Sequence, residues 1–262
     1  MEYLILLFGF LLLIKGADFF VDGSSSLAKI FKVPSILIGL TIVAFGTSSP
    51  EAAVSIRAAL KNSNEIALGN VVGSSLFNIL LIVGISSMIK PLNIQRKTIL
   101  KELPFLLLAF IVLYVLCADI KLQSFSYNIL TKADGIILLS LFSIFTYYVI
   151  ELAILSKESS NDIIKEMSLT KSISISIIGI IGILIGANFV VSSSTTIALN
   201  LGMSETLVGL TIVAIGTSLP ELVTSITAAY KGENDIAIGN AIGSNVFNIL
   251  FILGITSLIK PI

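Results

Sequence analysis

Two glutamates stand in runs that are otherwise apolar or small. Glu51 closes Gly46-Thr47-Ser48-Ser49-Pro50-Glu51, and Glu221 closes Gly216-Thr217-Ser218-Leu219-Pro220-Glu221. Proline lacks an amide hydrogen and clashes with the carbonyl four residues back, so a helix carrying it must open. Opening should leave the carbonyls of Ala44 and Thr47 without intrahelical partners, and likewise those of Ala214 and Thr217. Together with Ser48, Ser218 and the two carboxylates, every donor is a hard oxygen, which suits Na⁺ or Ca²⁺. The chain has no histidine and one cysteine, Cys117. That excludes Ser-His-Asp and Cys-His catalysis, HExxH zinc sites and an intrachain disulfide. The reading is therefore a non-enzyme with no cofactor, for which Ca²⁺ and Na⁺ are cargo.

A second motif accompanies each glutamate. Gly-Asn-x-x-Gly-Ser-x-x-Phe-Asn runs from Gly69 to Asn78 and again from Gly239 to Asn248. Ser74 and Asn78 lie four residues apart and so share a helical face, as do Ser244 and Asn248. The glycines at 69, 73, 239 and 243 let helix backbones approach closely. The plainer reading is small-residue helix packing, with serine and asparagine as interhelical glue. Asn70 and Asn240, one turn before the serines, read as packing or gate positions. Ser24–Ser26 and Ser192–Thr196 read as polar vestibule or capping positions.

The elements that position these residues must cross a membrane. Of 262 residues, 55% are hydrophobic and 12% charged, too little charge for the surface of a soluble domain. The net charge is zero, and no basic cluster with interleaved aromatics points to nucleic acid. Apolar runs of spanning length predict helices near 2–27, 35–60, 65–89, 99–117, 133–155, 172–198, 205–230 and 235–259, eight in all. The first run has an acidic residue, Glu2, where a signal peptide is basic, and reads as a retained helix. Residues 156–171 are polar and read as a linker.

Within lipid, an ionised glutamate mid-helix costs at least about 2.5–3.5 kcal/mol. Asp18 and Glu151 can be explained as residues snorkelling near helix ends; Glu51 and Glu221 cannot. The reason lies in a duplication. Residues 39–51 read GLTIVAFGTSSPE and residues 209–221 read GLTIVAIGTSLPE, differing at two positions. The same offset pairs Gly16-Ala17-Asp18-Phe19 with Gly186-Ala187-Asn188-Phe189, and Lys90-Pro91 with Lys260-Pro261. Five helices precede the linker, an odd number, so the second copy enters the membrane from the opposite side. The division is 1–155 for the first repeat, 156–171 for the linker and 172–262 for the second. Loops after helices 1, 3, 5 and 7 carry most of the lysine and arginine, which predicts an outside N-terminus and a cytoplasmic linker in a multi-pass cell membrane protein. Counterparts of helices 4 and 5 are not present before Ile262, and the expectation is a piece of a ten-helix protein.

The paired Gly-Thr-Ser-x-Pro-Glu and Gly-Asn-x-x-Gly-Ser-x-x-x-Asn segments resemble the two α-repeats of the cation/Ca²⁺ exchanger superfamily, above all the prokaryotic Na⁺/Ca²⁺ exchangers. The resemblance implies an all-α, inverted-repeat transporter of five plus five helices. In it, helices 2, 3, 7 and 8 form the ion site, and helices 1 and 6 slide across that core. It places Ca²⁺ between the Glu51 and Glu221 carboxylates and the carbonyls of Thr47 and Thr217. Na⁺ would use Ser48, Ser74, Ser218 and Ser244 with the carbonyls of Ala44 and Ala214, while Asn78 and Asn248 line the middle. Some relatives carry aspartate where Asn248 stands. Two carboxylates match one Ca²⁺ and leave the Na⁺ count open. Burial in general favours the neutral form of a carboxyl, so a proton also stays open as the counter-ion. The function expected is Ca²⁺/Na⁺ antiport by alternating access. The rivals are H⁺/Ca²⁺ antiport on the same fold, a channel, and a non-transporting membrane protein. Lipid is the expected surrounding, and the oligomeric state is left open.

Overall fold

The computed structural model describes residues 1–61, 63–124, 126–155, 167–208, 211–212 and 214–262. All of its regular structure is helical: α1 (Glu2–Phe31), α2 (Ser35–Thr47), α3 (Ser49–Leu60), α4 (Glu65–Ile89), α5 (Thr98–Leu116), the short α6 (Asp119–Gln123), α7 (Lys132–Leu155), α8 (Leu169–Asn200), α9 (Glu205–Val208), α10 (Ala214–Thr217), α11 (Leu219–Lys231) and α12 (Asn234–Ile259). Helices satisfy their own backbone groups, which is what a chain in hydrocarbon requires. Among the described residues, six of these helices are long and apolar enough to span a bilayer alone: α1, α4, α5, α7, α8 and α12. The pair α2–α3 makes a seventh span, bent by 48°. The predicted span 205–230 passes through residues 209, 210 and 213, which lie outside the described set. The predicted linker lies largely there too, at 156–166.

The first helices of the two copies, α1 and α8, run antiparallel in close contact. A Cβ on Gly16 would stand 2.8 Å from the carbonyl oxygen of Gly179, and one on Gly186 would stand 2.8 Å from that of Gly9. Position rises along α1 as it falls along α8, and Gly9 and Gly16 are themselves the counterparts of Gly179 and Gly186. The two contacts therefore exchange with each other when the copies are exchanged, as an inverted duplication demands. Farther along, Ser26 Oγ meets Ser172 Oγ at 2.8 Å.

The break between α2 and α3 falls at Ser48, whose ψ of 7° leaves the helical region one turn before Glu51. Pro50 then takes an N-terminal position of α3, where its missing N–H costs nothing. One expectation needs correcting here. The carbonyl of Ala44 accepts from Ser48 N–H at 3.0 Å and so keeps an intrahelical partner; a carbonyl has a second lone pair, and only that one remains for another donor or an ion. In addition, π-helical turns span Gly39–Val43, Phe77–Ile82 and Phe247–Ile252. Such turns shift the face on which later residues point, and the last two hold Asn78 and Asn248 as their second residues.

Packing crosses between the copies. The α2 backbone lies directly on α12, where a Cβ on Gly239 would be 2.6 Å from Ile36 O and one on Gly243 would be 2.6 Å from Leu40 O. Helices α5 and α7 also pack on α12, joining Leu106, Ala109, Leu113, Leu138, Phe145 and Val149 to Ile242, Val246 and Leu250 in one core. Phe142 lies 6.1 Å from Phe247 and 5.1 Å from Phe251, ring centre to ring centre.

Candidate ion-binding site

The two broken helices and the two motif helices converge on Glu51 and Glu221, both buried. Each carboxylate is held by the opposite copy. Ser48 Oγ donates to Glu221 Oε1 at 2.8 Å, and Ser218 Oγ lies 3.2 Å from Glu51 Oε1. Ser48 and Ser218 each occupy the break itself, where the turned backbone aims the side chain across the centre rather than along its own helix. Ser74 Oγ completes one side, 3.4 Å from Glu51 Oε1 and 3.1 Å from Ser218 Oγ.

The other oxygen of each carboxylate, Oε2, has no hydrogen-bond donor among the described residues. Among the described residues no lysine or arginine pairs with either group; the ion pairs found lie at Lys15, Asp18, Asp22 and Lys231. Two buried carboxyl groups, each with an acceptor atom unengaged and no cationic side chain among the described residues, make a centre suited to a positive ion.

The remaining predicted residues divide. Asn78 and Asn248 are buried near the centre. Asn78 Nδ2 donates to Asn245 Oδ1 at 3.2 Å; among the described residues Asn78 Oδ1 has no partner, nor does either amide atom of Asn248. Ser244 is buried but turns to Asn240 Oδ1 at 3.4 Å, and reaches neither carboxylate. Thr47 and Thr217 direct their hydroxyls at Asn240 Oδ1 and Asn70 Oδ1, 3.1 and 3.4 Å away. Ala44 is buried beside them. Ala214 opens α10, next to undescribed residue 213.

The glycine expectation holds where it can be read, at Gly239 and Gly243. No described atom comes close to a Cβ on Gly69 or Gly73; the residues that symmetry would place there, 209 and 210, are outside the described set. Reading the sequence as a string also missed Ser55, Ser225 and Asn245, and it took Asn70 and Asn240 for packing or gate residues. Ser55 and Ser225 follow the glutamates by one turn at matching positions, and that spacing was the available signal. Asn245 gave none, because its counterpart is Ser75.

A family model described as sodium/calcium exchanger protein matches residues 1–151 and 171–262. The chain belongs to the sodium/calcium exchanger family. Among the relatives of this exchanger-family chain, the putative antiporter CaxA of Alkalimonas amylolytica is 39% identical, over 97% of this chain and 80% of its own length. The sodium/calcium exchanger MaX1 of Methanosarcina acetivorans is 33% identical over the whole of this chain and 84% of its own. A solved structure of the sodium-calcium exchanger NCX_Mj, soaked with Na⁺ and no Ca²⁺, superposes with a TM-score of 0.86 at 35% identity, covering 98% of this chain and 82% of that one. The exchanger-family chain thus shares the inverted-repeat transporter fold along nearly its full length, and Glu51 and Glu221 each meet a serine from the other copy.

Proposed function

We propose that this chain is a secondary active antiporter that carries Ca²⁺ one way and Na⁺ the other through a single site. The observation that carries the reading is the pair of buried carboxylates. Each is anchored through Oε1 by a serine of the opposite repeat, and each offers an Oε2 with no donor and no cationic neighbour among the described residues. In a low-dielectric interior, two such charges without a counter-ion are costly, and moving them across the membrane empty costs more. One Ca²⁺, or Na⁺ ions in its place, neutralises the pair. Exchange rather than one-way flow follows, because only the loaded site changes sides readily.

In this reading Ca²⁺ sits between Glu51 and Glu221, with the Thr47 and Thr217 carbonyls as further ligands. Na⁺ draws on Ser48, Ser74, Ser218, Ser244 and the Ala44 and Ala214 carbonyls. Asn78 and Asn248 supply neutral amide oxygens between them. Residues 1–155 and 172–262 form the two repeats, joined by 156–171 on the cytoplasmic side, with the N-terminus outside. The close-packed pair α1 and α8 is the part that slides over the ion-binding core. The cycle moves ions without covalent chemistry and needs no resident cofactor.

The test is radiolabelled Ca²⁺ flux in proteoliposomes under separately imposed Na⁺ and pH gradients. Flux driven by Na⁺, saturable and lost in Glu51→Gln, is expected. One observation keeps a proton-driven version in play: with asparagine at both 78 and 248, the centre holds only two fixed charges. Flux under a pH gradient in Na⁺-free buffer, and none under a Na⁺ gradient, would replace Na⁺ with H⁺ in the proposal.

A further inference from the structure

Two asparagines beside the site have no role in the ion-ligand set and yet have all their amide groups engaged. Asn240 is fully buried. Its Nδ2 donates to Ser225 Oγ at 2.9 Å and to the backbone oxygen of Glu221 at 3.4 Å. Its Oδ1 accepts from Thr47 Oγ1 of the other repeat at 3.1 Å. Asn70 repeats the pattern. Its Nδ2 donates to Ser55 Oγ at 2.9 Å and to Glu51 O at 3.2 Å, and its Oδ1 accepts from Thr217 Oγ1 at 3.4 Å. The arrangement is built twice, although the copies differ nearby at Phe45 and Ile215, at Ser49 and Leu219, and at Ser75 and Asn245.

Each amide therefore joins the helix whose first turn holds one repeat's glutamate to the threonine that ends the preceding helix in the other repeat. Only a group with both a donor and an acceptor can do this. Aspartate would set an acceptor against the glutamate carbonyl and add a third negative charge, while leucine would take the donor away from the serine oxygen and the glutamate carbonyl and leave the link between repeats unmade. The Thr47 hydroxyl also has Val43 O within its own helix, at 3.0 Å. It can hand its one hydrogen to either acceptor, so the bond between repeats can open without leaving the hydroxyl unsatisfied.

We infer that Asn70 and Asn240 are positioning residues that lock each half of the ion site to the other, so that both halves form and break together. The inference rests on the ion site proposed above. Thr47→Val tests it without removing the Thr47 carbonyl, because it deletes only the hydroxyl. The readout is Ca²⁺-dependent thermal stabilisation of the detergent-solubilised protein, titrated with Ca²⁺ for wild type, Thr47→Val, Asn240→Ala, Asn70→Ala and the two double variants that contain Thr47→Val.

Thr47→Val should raise the Ca²⁺ concentration for half-maximal stabilisation by about tenfold and Asn240→Ala, which also loses the bonds to Ser225 Oγ and Glu221 O, by at least as much; the double variant should exceed Asn240→Ala by little, because both changes break the same link. Thr47→Val with Asn70→Ala should combine multiplicatively, since those residues belong to different links. Thr47→Ser, which restores the hydroxyl, should return to wild type. Two multiplicative double variants, or a Thr47→Ser as weak as Thr47→Val, would overturn the inference while leaving the ion site standing. A wild type that Ca²⁺ does not stabilise, or a Glu51→Gln/Glu221→Gln variant that it still does, would overturn the site and this inference with it.

Discussion

Helices α4 and α12 carry the same motif and live in different surroundings. A third of the most apolar stretch of α4 is buried (33%), against 78% for α12. Gly254 of α12 faces Gly135 and Leu139 of α7, with a Cβ placed 2.8 Å from Leu139 Cγ; its counterpart Gly84 has nothing described within 4 Å. Phe247 stands in a cluster with Phe45, Phe142 and Phe251, whereas Leu80, Leu81 and Met88 of α4 face outward. The cause is that α5 and α7, encoded in the first repeat, pack on the second repeat's motif helix. A repeat in sequence is therefore not a packing unit in space. The face of each motif helix that turns to the ion centre is set by its own sequence, and its back is set by helices from the other copy.

If the two half-sites are chemically equivalent despite unequal walls, Glu51→Gln and Glu221→Gln should do equal damage. Each single change is expected to lower exchange by about 100-fold or more, and the double variant by no more than either single one, as for residues that act as one unit. Flux from reconstituted vesicles measures this directly. A Glu221→Gln protein that kept most of its exchange would show that the better-buried half is structural and the other half does the transport.

The walls themselves should differ in the opposite way. Gly239→Ala drives a methyl to within 2.6 Å of the Ile36 carbonyl, and backbone cannot swing aside, so a loss of about 1–3 kcal/mol is expected. Gly84→Ala meets no described atom within 4 Å and should be neutral or stabilising by up to about 1 kcal/mol. Thermal unfolding in a fixed detergent compares the two. Equal losses would mean that the α4 face is packed after all.

Most of the scaffold was legible because lipid leaves few choices: apolar length gave the spans, and the proline gave the break within two residues of Ser48. The duplication supplied both glutamates and the pairing of motifs. Three features were not legible. The crossing of Ser48 to Glu221 and of Ser218 to Glu51 depends on how two broken helices face each other, which no local pattern encodes. The π-helical turns at Phe77–Ile82 and Phe247–Ile252 carry no proline or glycine to announce them. The wiring of Asn70 and Asn240 looked like packing because an asparagine among small residues reads the same way whether or not all its amide groups find partners.

The smallest expected effect concerns a contact that exists on one side only. Lys231, at the end of α11, donates to Asp22 Oδ1 at 2.7 Å and to the backbone oxygen of Asp18 at 3.0 Å, and pairs with Asp18 Oδ1 at 3.1 Å, while Ser25 Oγ donates to Glu233 Oε1 at 2.6 Å. Together these tie α1 to the second repeat. The counterparts of Lys231, Asp18, Asp22, Ser25 and Glu233 are Lys61, Asn188, Ser192, Thr195 and Ser63, a set with no carboxylate. An exchange of sides by α1 and α8 would break ion pairs at one end and none at the other, so the two access states should not be equally populated. Exposed pairs contribute at most about 1 kcal/mol, which limits the bias to roughly fivefold. In a Cys117→Ser background, thiol labelling of Ser26→Cys, a position buried against Ser172, reports the opening of that end. Lys231→Met should raise the labelling rate a few-fold at low salt and less at high salt, where screening has already weakened the pairs. Lys61→Met should leave the rate where it was, and equal effects of the two changes would show that the asymmetry of charge does not set the balance of states.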